Sequence, residues 1–539
     1  MSFNKDSVQL FNALPRNPRA PSGRVPNTWH FDLRYVPLEP TPGHLLFIVQ
    51  IESSYIYTER LPLGLPSRSS GVSFFPETGG AAAPEVCKGL IHAFLDGFGE
   101  HKFERNPSPP FAPWKFTTED SSLAAAVGTE FKRLGVRKEL CKIEVVKGKP
   151  LDVAHQAFSD FWDGLKKTMG ITGIVAATLT APNSIVFRNL QLAKWVGDAE
   201  ADDDTKALAY IQRLTSTRPL SMEDPHLKTG DQMLKDLNAK MELFDSVCVH
   251  TLSREADAGN AEAAIDYALR LQFGIGCTPS RDLFHYYLNK VIDNPNATAA
   301  VKSRAHALLI EWYTGSSTDS LYYRYLHAAA HHANESALLS NGDVSASILF
   351  FAMYTLEPRS HQVLELCVQY KAVWAALEKR KKEIEKQKGM TERKRAQDAN
   401  RYICAAVNCY IQGDKGAMLK QCSGKCDPDK KPAYCSKECQ RADWKTHKPY
   451  CRPGAPCSVL EKDHPVPVAA GKATQGSLSI PVTRPGGETV MVSSSTLGPE
   501  TLKQFKDWSE ARGSRSMGSF RVECVPIGAE ADVVAEHYV

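Results

Sequence analysis

The stretch "YCSKECQRADWKTHKPYC", Tyr434 to Cys451, places Cys435, Cys439, His447 and Cys451 in a run that is otherwise polar and lysine-rich. Just upstream, "CAAVNC" (404–409) and "CSGKC" (422–426) add Cys404, Cys409, Cys422 and Cys426. In order, the eight residues read C-x4-C-x12-C-x3-C-x8-C-x3-C-x7-H-x3-C, four consecutive pairs. Zinc takes four soft or borderline ligands in a tetrahedron, with sulfur at about 2.3 Å and imidazole nitrogen at about 2.0–2.1 Å. A short turn between two cysteines puts both thiolates within reach of one ion. Cys435 and Cys439, like His447 and Cys451, lie four apart, one helical turn, so each pair is expected to share a face. Eight ligands make two closed sites, hence two Zn2+ ions. Closed sites leave no position for water and point to structure rather than metal catalysis. Spacing alone does not choose between sequential and interleaved pairing of the four pairs.

The rest of the chain is read around this cluster. Eight of the 14 cysteines crowd into it, counting Cys457, which falls outside the frame and is read as a spare thiol. The others (Cys87, Cys141, Cys248, Cys277, Cys367 and Cys524) are scattered, as buried small hydrophobes are. Clustered thiols in a reducing compartment mean metal rather than disulfides. The opening residues have no apolar h-region, and no segment approaches the roughly 18 apolar residues of a membrane span. A location in nucleus or cytoplasm, with no membrane partner, is therefore expected. The net charge is only +4, so nothing global demands a nucleic-acid or membrane partner. The 539 residues, 42% hydrophobic, predict several domains.

Composition divides the chain. Residues 1–28, rich in Pro, Asn and Arg, read as a loose leader. An α+β domain is expected over 29–190. There "WHFDLRYVPLE" and "GHLLFIVQIESSYIYTERL" read as strands, and "PEVCKGLIHAFLDGFG", "TTEDSSLAAAVGTEFKRLG" and "LDVAHQAFSDFWDGLKKTMG" as helices, with Thr117 and Asp120 resembling a capping signal. Its Trp29, Trp114 and Trp162 are read as core. The acidic "GDAEADDDTK" (197–206) reads as a surface turn or linker, and 200–370 as all-helical. "AGNAEAAIDYALRLQFGIGC" (258–277) ends a helix at Gly274, and "VKSRAHALLIEWYTG" (301–315) ends one at Gly315, 41 residues on. Such a period points to stacked helical pairs; an ordinary helical bundle is the plainer reading. His327, His331 and Glu335 fall on one helix face, a set that could bind metal but more often is a solvated face. Residues 371–401 read as a charged helix, and "KRKK" (379–382) as solvated helix more readily than as an import signal. Residues 371–448 carry 20 Lys/Arg against 10 Asp/Glu, so the basic excess is local and the remainder is net acidic. After the cluster, 453–539 is a Pro/Gly-rich tail in which "GGETVMVSSSTLGPETLKQFKDWSEARG" and "SFRVECVPIG" suggest a small ordered patch.

Two resemblances follow. The first helical unit resembles a Sel1-like repeat, a relative of the tetratricopeptide repeat, through Ala258, Gly259, Ala261, Ala263, Tyr267, Leu271, Gly274 and Gly276; later units depart from the pattern. Residues 402–452 resemble the MYND-type zinc finger. Its second half, C-x3-C-Q-x2-D/H-W-x2-H-K-x2-C, is matched at Cys435, Cys439, Gln440, Asp443, Trp444, His447, Lys448 and Cys451. The first half departs, since C-x2-C is common where this chain has C-x4-C and C-x3-C. The resemblance implies interleaved sites, Cys404, Cys409, Cys435 and Cys439 on one zinc and Cys422, Cys426, His447 and Cys451 on the other.

The family's finger is a protein-interaction module that takes short proline-containing peptides along an exposed edge, with transcriptional regulation as a setting. By resemblance the peptide would touch Ser423, Gln440 and Trp444. Trp444 could equally cover the zinc lobe, and Ser423 and Gln440 could orient thiolates. The expectation is thus a multidomain, non-catalytic adaptor with an N-terminal α+β domain, a helical-repeat region and a small two-zinc finger. Binding of nucleic acid through 371–448 is the alternative. A methyltransferase-related enzyme is disfavoured, because no SET-like "NHSC" or "GEEL" motif occurs; a RING-type ubiquitin ligase is disfavoured as well, because the terminal C-x3-C-x7-H-x3-C is not RING spacing.

Overall fold

The computed structural model describes residues 5–65, 71–98, 110–187, 202–219, 238–239, 242, 246–314, 323–397, 399–413, 418–459, 478–483, 489–494 and 497–511. It contains two compact units, one of Met1–Glu223 with Leu237–Leu377, the other built mainly on Glu378–Val539. The sheet domain, the helical region and the finger expected from the sequence are all present.

The first unit begins with a mixed five-stranded sheet. Strands β1 (Thr28–Val36), β2 (Gly43–Gln50) and β3 (Tyr55–Leu61) are antiparallel neighbours, and β4 (Lys115–Thr118) and β5 (Glu144–Val145) add in parallel, giving the order β3-β2-β1-β4-β5. Side chains alternate across the pleat. Leu46 and Ile48 join Trp29, Phe31 and Leu33 in one core with helices α2 (Gly79–Leu95) and α3 (Ser121–Leu134). Phe47 and Val49 face the other way, onto Ala154, Phe158 and Trp162 of helix α4 (Lys149–Thr168). Strand β1 alternates apolar with polar residues, a pattern that suggests one wet face, yet His30, Asp32 and Arg34 are buried too. Asp32 and Arg34 are tolerated because Arg34 forks onto Asp32 at 2.8 and 2.6 Å and stacks on the Phe158 ring at 4.0 Å, while burial lowers the pKa of His30 and favours its neutral form.

Local signals place the helix ends, with two differences from the sequence reading. Helix α3 is capped by Asp120, whose carboxylate accepts from Leu123 N at 2.6 Å, while Thr117 belongs to β4. Residues 1–28, read as a loose leader, contain helix α1 (Lys5–Ala13), and its Val8 and Phe11, one turn apart, are buried in the sheet core. Of the three tryptophans read as core, Trp29 and Trp162 are buried, whereas Trp114 is exposed under the Arg16 guanidinium.

The acidic stretch read as a linker supplies Asp202 as the cap of helix Asp203–Ser216; its residues 197–201 lie outside the described residues. Beyond it, helices Val249–Asp257, Ala261–Phe273, Arg281–Asp293, Ala299–Thr314 and Tyr323–Leu339 pack each against the next. Close approach is allowed by buried alanines, among them Ala264, Ala268, Ala305, Ala329 and Ala333. Gly274 ends its helix in the left-handed conformation at φ +70°, as the sequence suggests, while Gly315 lies outside the described residues. These pairs establish a helical region; a Sel1-like identity is not confirmed by them. The face with His327, His331 and Glu335 is not solvated: both histidines are buried and Glu335 is half-buried. The reason is that the helix has neighbours on all sides, so that thirteen of its residues are buried.

In the second unit, hairpin Lys420–Gln421/Ala433–Tyr434 and helix Lys437–His447 make the finger. Strand Gln412–Gly413 pairs with Leu478–Thr483, which pairs with Thr489–Ser494. Ile480, Val482 and Leu502, the last on helix Pro499–Ala511, share one core with Cys404, Ile411 and Tyr434. The ordered patch expected in the tail therefore packs onto the finger, while "SFRVECVPIG" lies outside the described residues. Among the described residues no helix is long and apolar enough to cross a membrane.

Candidate functional site

Backbone geometry sets out the eight ligands. Cys404 sits beside Ala433, its N–H donating to Ile411 O at 2.9 Å. Cys409 is flanked by Asn408 and Tyr410, both left-handed at φ +62° and +56°. Within the four-residue spacer, the left-handed Asn408 and the turn that Cys409 N–H closes on Ala406 O at 3.2 Å bring the second thiol back toward the first. The hairpin is antiparallel, so Cys422 and Cys435, each directly after a strand, leave from its opposite ends and fall to different sites. Ser436 caps the finger helix, its Oγ accepting from Cys439 N at 3.2 Å. Only Cys439 of its pair is helical, since Cys435 precedes the cap; likewise His447 ends the helix and Cys451 follows a 3-10 turn. The pairs thus meet across a helix boundary rather than along one helical face.

The structure brings together Cys404, Cys409, Cys435 and Cys439 as one tetrad and Cys422, Cys426, His447 and Cys451 as the other, each with its ligand atoms within 4.8 Å. The pairing is interleaved, and the helix explains it. Cys439 and His447 are eight residues apart, about 12 Å of helix at 1.5 Å per residue, too far for one ion. A tetrahedron with sulfur at about 2.3 Å from the metal has edges of about 3.8 Å. Observed Sγ–Sγ edges are 3.4, 3.5 and 3.6 Å in the first tetrad and 3.5 and 3.8 Å in the second. His447 Nε2 lies 3.3 Å from Cys426 Sγ, while its Nδ1 meets Ser458 Oγ at 2.9 Å, which fixes the ring with Nε2 toward the thiols. The donor set fits zinc.

Electrostatics agree. In the first tetrad, hydrogen bonds from Cys409 and Cys435 pull Cys404 down to about 2. The same shared protons push Cys409 up to about 12 and Cys435 further up. A divalent cation would let all four act as thiolates. In the second, burial and then Cys451 push Cys426 to about 12.

Residues 408–451 match the MYND finger family. The finger is a zinc-binding protein-interaction module, and the two tetrads are consistent with its two zinc ions. Cys404 lies just upstream of the matched span, yet its thiol completes the first tetrad. No curated protein and no solved structure matches the chain.

The three residues singled out for peptide contact are placed as follows. Trp444 is 43% exposed, its ring edge-on to His447 with centroids 6.1 Å apart, so it is not a sealed lid. Gln440, one turn earlier, is half-buried, and Ser423 is exposed on the knuckle between Cys422 and Cys426. Cys457 stays outside both tetrads. Three site residues escaped the sequence reading. Lys503 Nζ donates to Cys439 Sγ at 3.3 Å from 64 positions away, and no local signal announces it. Ser458 holds His447, again without a signal. Gly424 is different: a Cβ there would land on Cys451 Sγ, and the glycine inside "CSGKC" was legible as a knuckle residue. Tyr434 Oη donates to Asp443 Oδ2 at 2.8 Å, which ties strand to helix and gives two of the matched positions a structural role.

Proposed function

We propose that the chain is a non-catalytic adaptor whose finger binds short proline-containing segments of partner proteins, with transcriptional regulation as its setting. The peptide adds as a strand along Lys420–Gln421, beside Ser423, and seats a side chain against Trp444, with Gln440 one turn away on the same helix face. The observation that carries this reading is a half-open hairpin followed by a helix that presents an exposed tryptophan. Ala433 is flanked on its far side by Cys404 and Ala405, whereas among the described residues Lys420–Gln421 pairs only with Ala433–Tyr434. The other short strand of the finger, Gln412–Gly413, already has Leu478–Thr483 beside it. The helical pairs of 249–339 serve as scaffold, and their kinship to Sel1-like repeats rests on the residues between Ala258 and Gly276.

The test uses the full zinc-loaded chain. Fluorescent peptides of PxLxP type and duplex DNA are titrated at low and high salt. Trp444→Ala should weaken peptide binding by at least about 30-fold, a hot-spot loss of about 2 kcal/mol, while leaving zinc content unchanged. Phosphate contact falls steeply with salt, so DNA binding that does so, in the absence of peptide binding, would replace this proposal with the nucleic-acid alternative. Methyl transfer from S-adenosylmethionine to a lysine substrate would refute the non-catalytic reading.

A further inference from the structure

The buried face of helix Tyr323–Leu339 meets Glu39, in the segment after β1. His331 Nδ1 lies 2.6 Å from Glu39 Oε1, and Glu335 adds a second carboxylate. One ligand atom from each of Glu39, His331 and Glu335 lies within 4.8 Å of the others. His331 is buried and both glutamates are half-buried. Even a protonated His331 would balance only one of the two negative charges. Among the described residues no lysine or arginine pairs with either carboxylate, and the Glu335 side chain makes no hydrogen bond. Burial raises the Glu335 carboxyl; His331 lowers it and Glu39 raises it again.

A second observation points to the same place. Tyr35 Oη, His327 Nε2 and Glu365 Oε1 are buried without a hydrogen-bond partner. The last two face each other at 3.6 Å, and His327 Nδ1 is held by Tyr370 Oη at 2.5 Å. His327 lies one turn before His331 on the same helix, and Tyr35 is four residues before Glu39, near the end of β1. An unmet buried polar group costs about 1–3 kcal/mol; Tyr35 Oη is left so, while His327 Nε2 and Glu365 Oε1 answer only each other, just beyond hydrogen-bond distance.

We infer that Glu39, His331 and Glu335 form a site for a divalent first-row transition-metal ion, one helical turn from the buried polar pair His327 and Glu365. One imidazole with two carboxylates suits the manganese, iron and zinc class. Calcium wants six to eight oxygens, and soft copper(I) wants sulfur. Three protein ligands leave coordination positions for oxygen ligands such as water. His327 is not itself a ligand, although it shares the face; Glu39, distant in sequence, takes the third place.

Mn2+ is the probe, because thiolate sites favour zinc over it. The full chain is analysed for total metal and then titrated with Mn2+ by electron paramagnetic resonance. The expected result is one metal per chain beyond the two of the finger, either co-purified or taken up as Mn2+. Its affinity should fall by on the order of tenfold or more in Glu39→Gln and in Glu335→Gln, with the finger zinc retained. Anomalous scattering at the manganese edge from crystals of the wild-type chain gives a readout independent of any variant, with a peak expected between the three side chains. A metal content of two with no Mn2+ uptake, uptake unchanged in both variants, or no anomalous peak there would overturn the assignment.

Discussion

Leu502→Ala tests whether the finger ends at Cys451 or includes a segment fifty residues downstream. Leu502 is fully buried in the core that holds Cys404, Ile411 and Tyr434. Truncation removes three carbons, worth about 2.4 kcal/mol at about 0.8 kcal/mol each. The cavity left behind brings such losses to about 2–5 kcal/mol. A loss near 3 kcal/mol shifts the local opening equilibrium by roughly 100-fold, at about 1.4 kcal/mol per tenfold. Zinc leaves a closed tetrad only after local opening, so its transfer to an excess of chromogenic chelator should accelerate by a similar factor. The assay runs on the full chain, with the exposed Gln504→Ala on the same helix as control. Amide exchange should report the loss at Cys404 and Ile411 and in the hairpin strands, but not in β1 and β2. If Leu502→Ala releases zinc within about threefold of the wild-type rate, the reasoning that welds Pro499–Ala511 to the finger is wrong.

Two further outcomes follow from single contacts. Gly424→Ala drives a methyl group into Cys451 Sγ, with Cys422 Sγ at 3.3 Å, so this variant should lose one equivalent of zinc while the all-cysteine tetrad keeps its own; full retention by metal analysis would contradict it. In the first unit, burial holds His285 and His306 down at about 3, so between about pH 6.5 and 3 the unfolded chain binds protons that the folded one refuses. Stability there should fall as pH drops, by up to about 1.4 kcal/mol per pH unit for each imidazole. Urea unfolding at about pH 7 and 5.5, followed by amide exchange in the helices 281–314, should show that loss and a shallower one in His285→Gln; equal stability at both values would refute it.

What the sequence disclosed depended on whether the chemistry was local. The ligand types of the tetrads lie within 48 residues, and each pair is made by one turn, cap or hairpin end, so spacing alone named all eight. Pairing was not local: it rests on a helix too long to give both its ends to one ion, and only the family resemblance anticipated it. Lys503 and Ser458 had no sequence signal, because each is placed by a segment whose own position depends on the folded finger. The histidine face was misread for a related reason. Periodicity says that His327, His331 and Glu335 point the same way, but not whether that direction is water, and the partner that gives the face meaning is Glu39, 292 positions from His331.

The docked C-terminal strands also bear on how so short a module holds its shape. A finger of this length buries little apolar surface, and structural zinc supplies of the order of 10 kcal/mol per site. A tetrad of four thiolates around one divalent cation carries two net negative charges, which disfavour its own burial. Lys503, from the helix that also contributes Leu502, places an ammonium on Cys439 Sγ and is held by Glu500 at 2.9 Å. Burial lowers the affinity of this lysine for its proton, but Glu500 and the nearby thiols more than restore it. One helix therefore supplies both the apolar cover and the counter-charge of the first site. Metal loading and docking of Pro499–Ala511 should then reinforce each other: zinc creates the charge that Lys503 answers, and the docked helix keeps water from the sulfur that binds zinc.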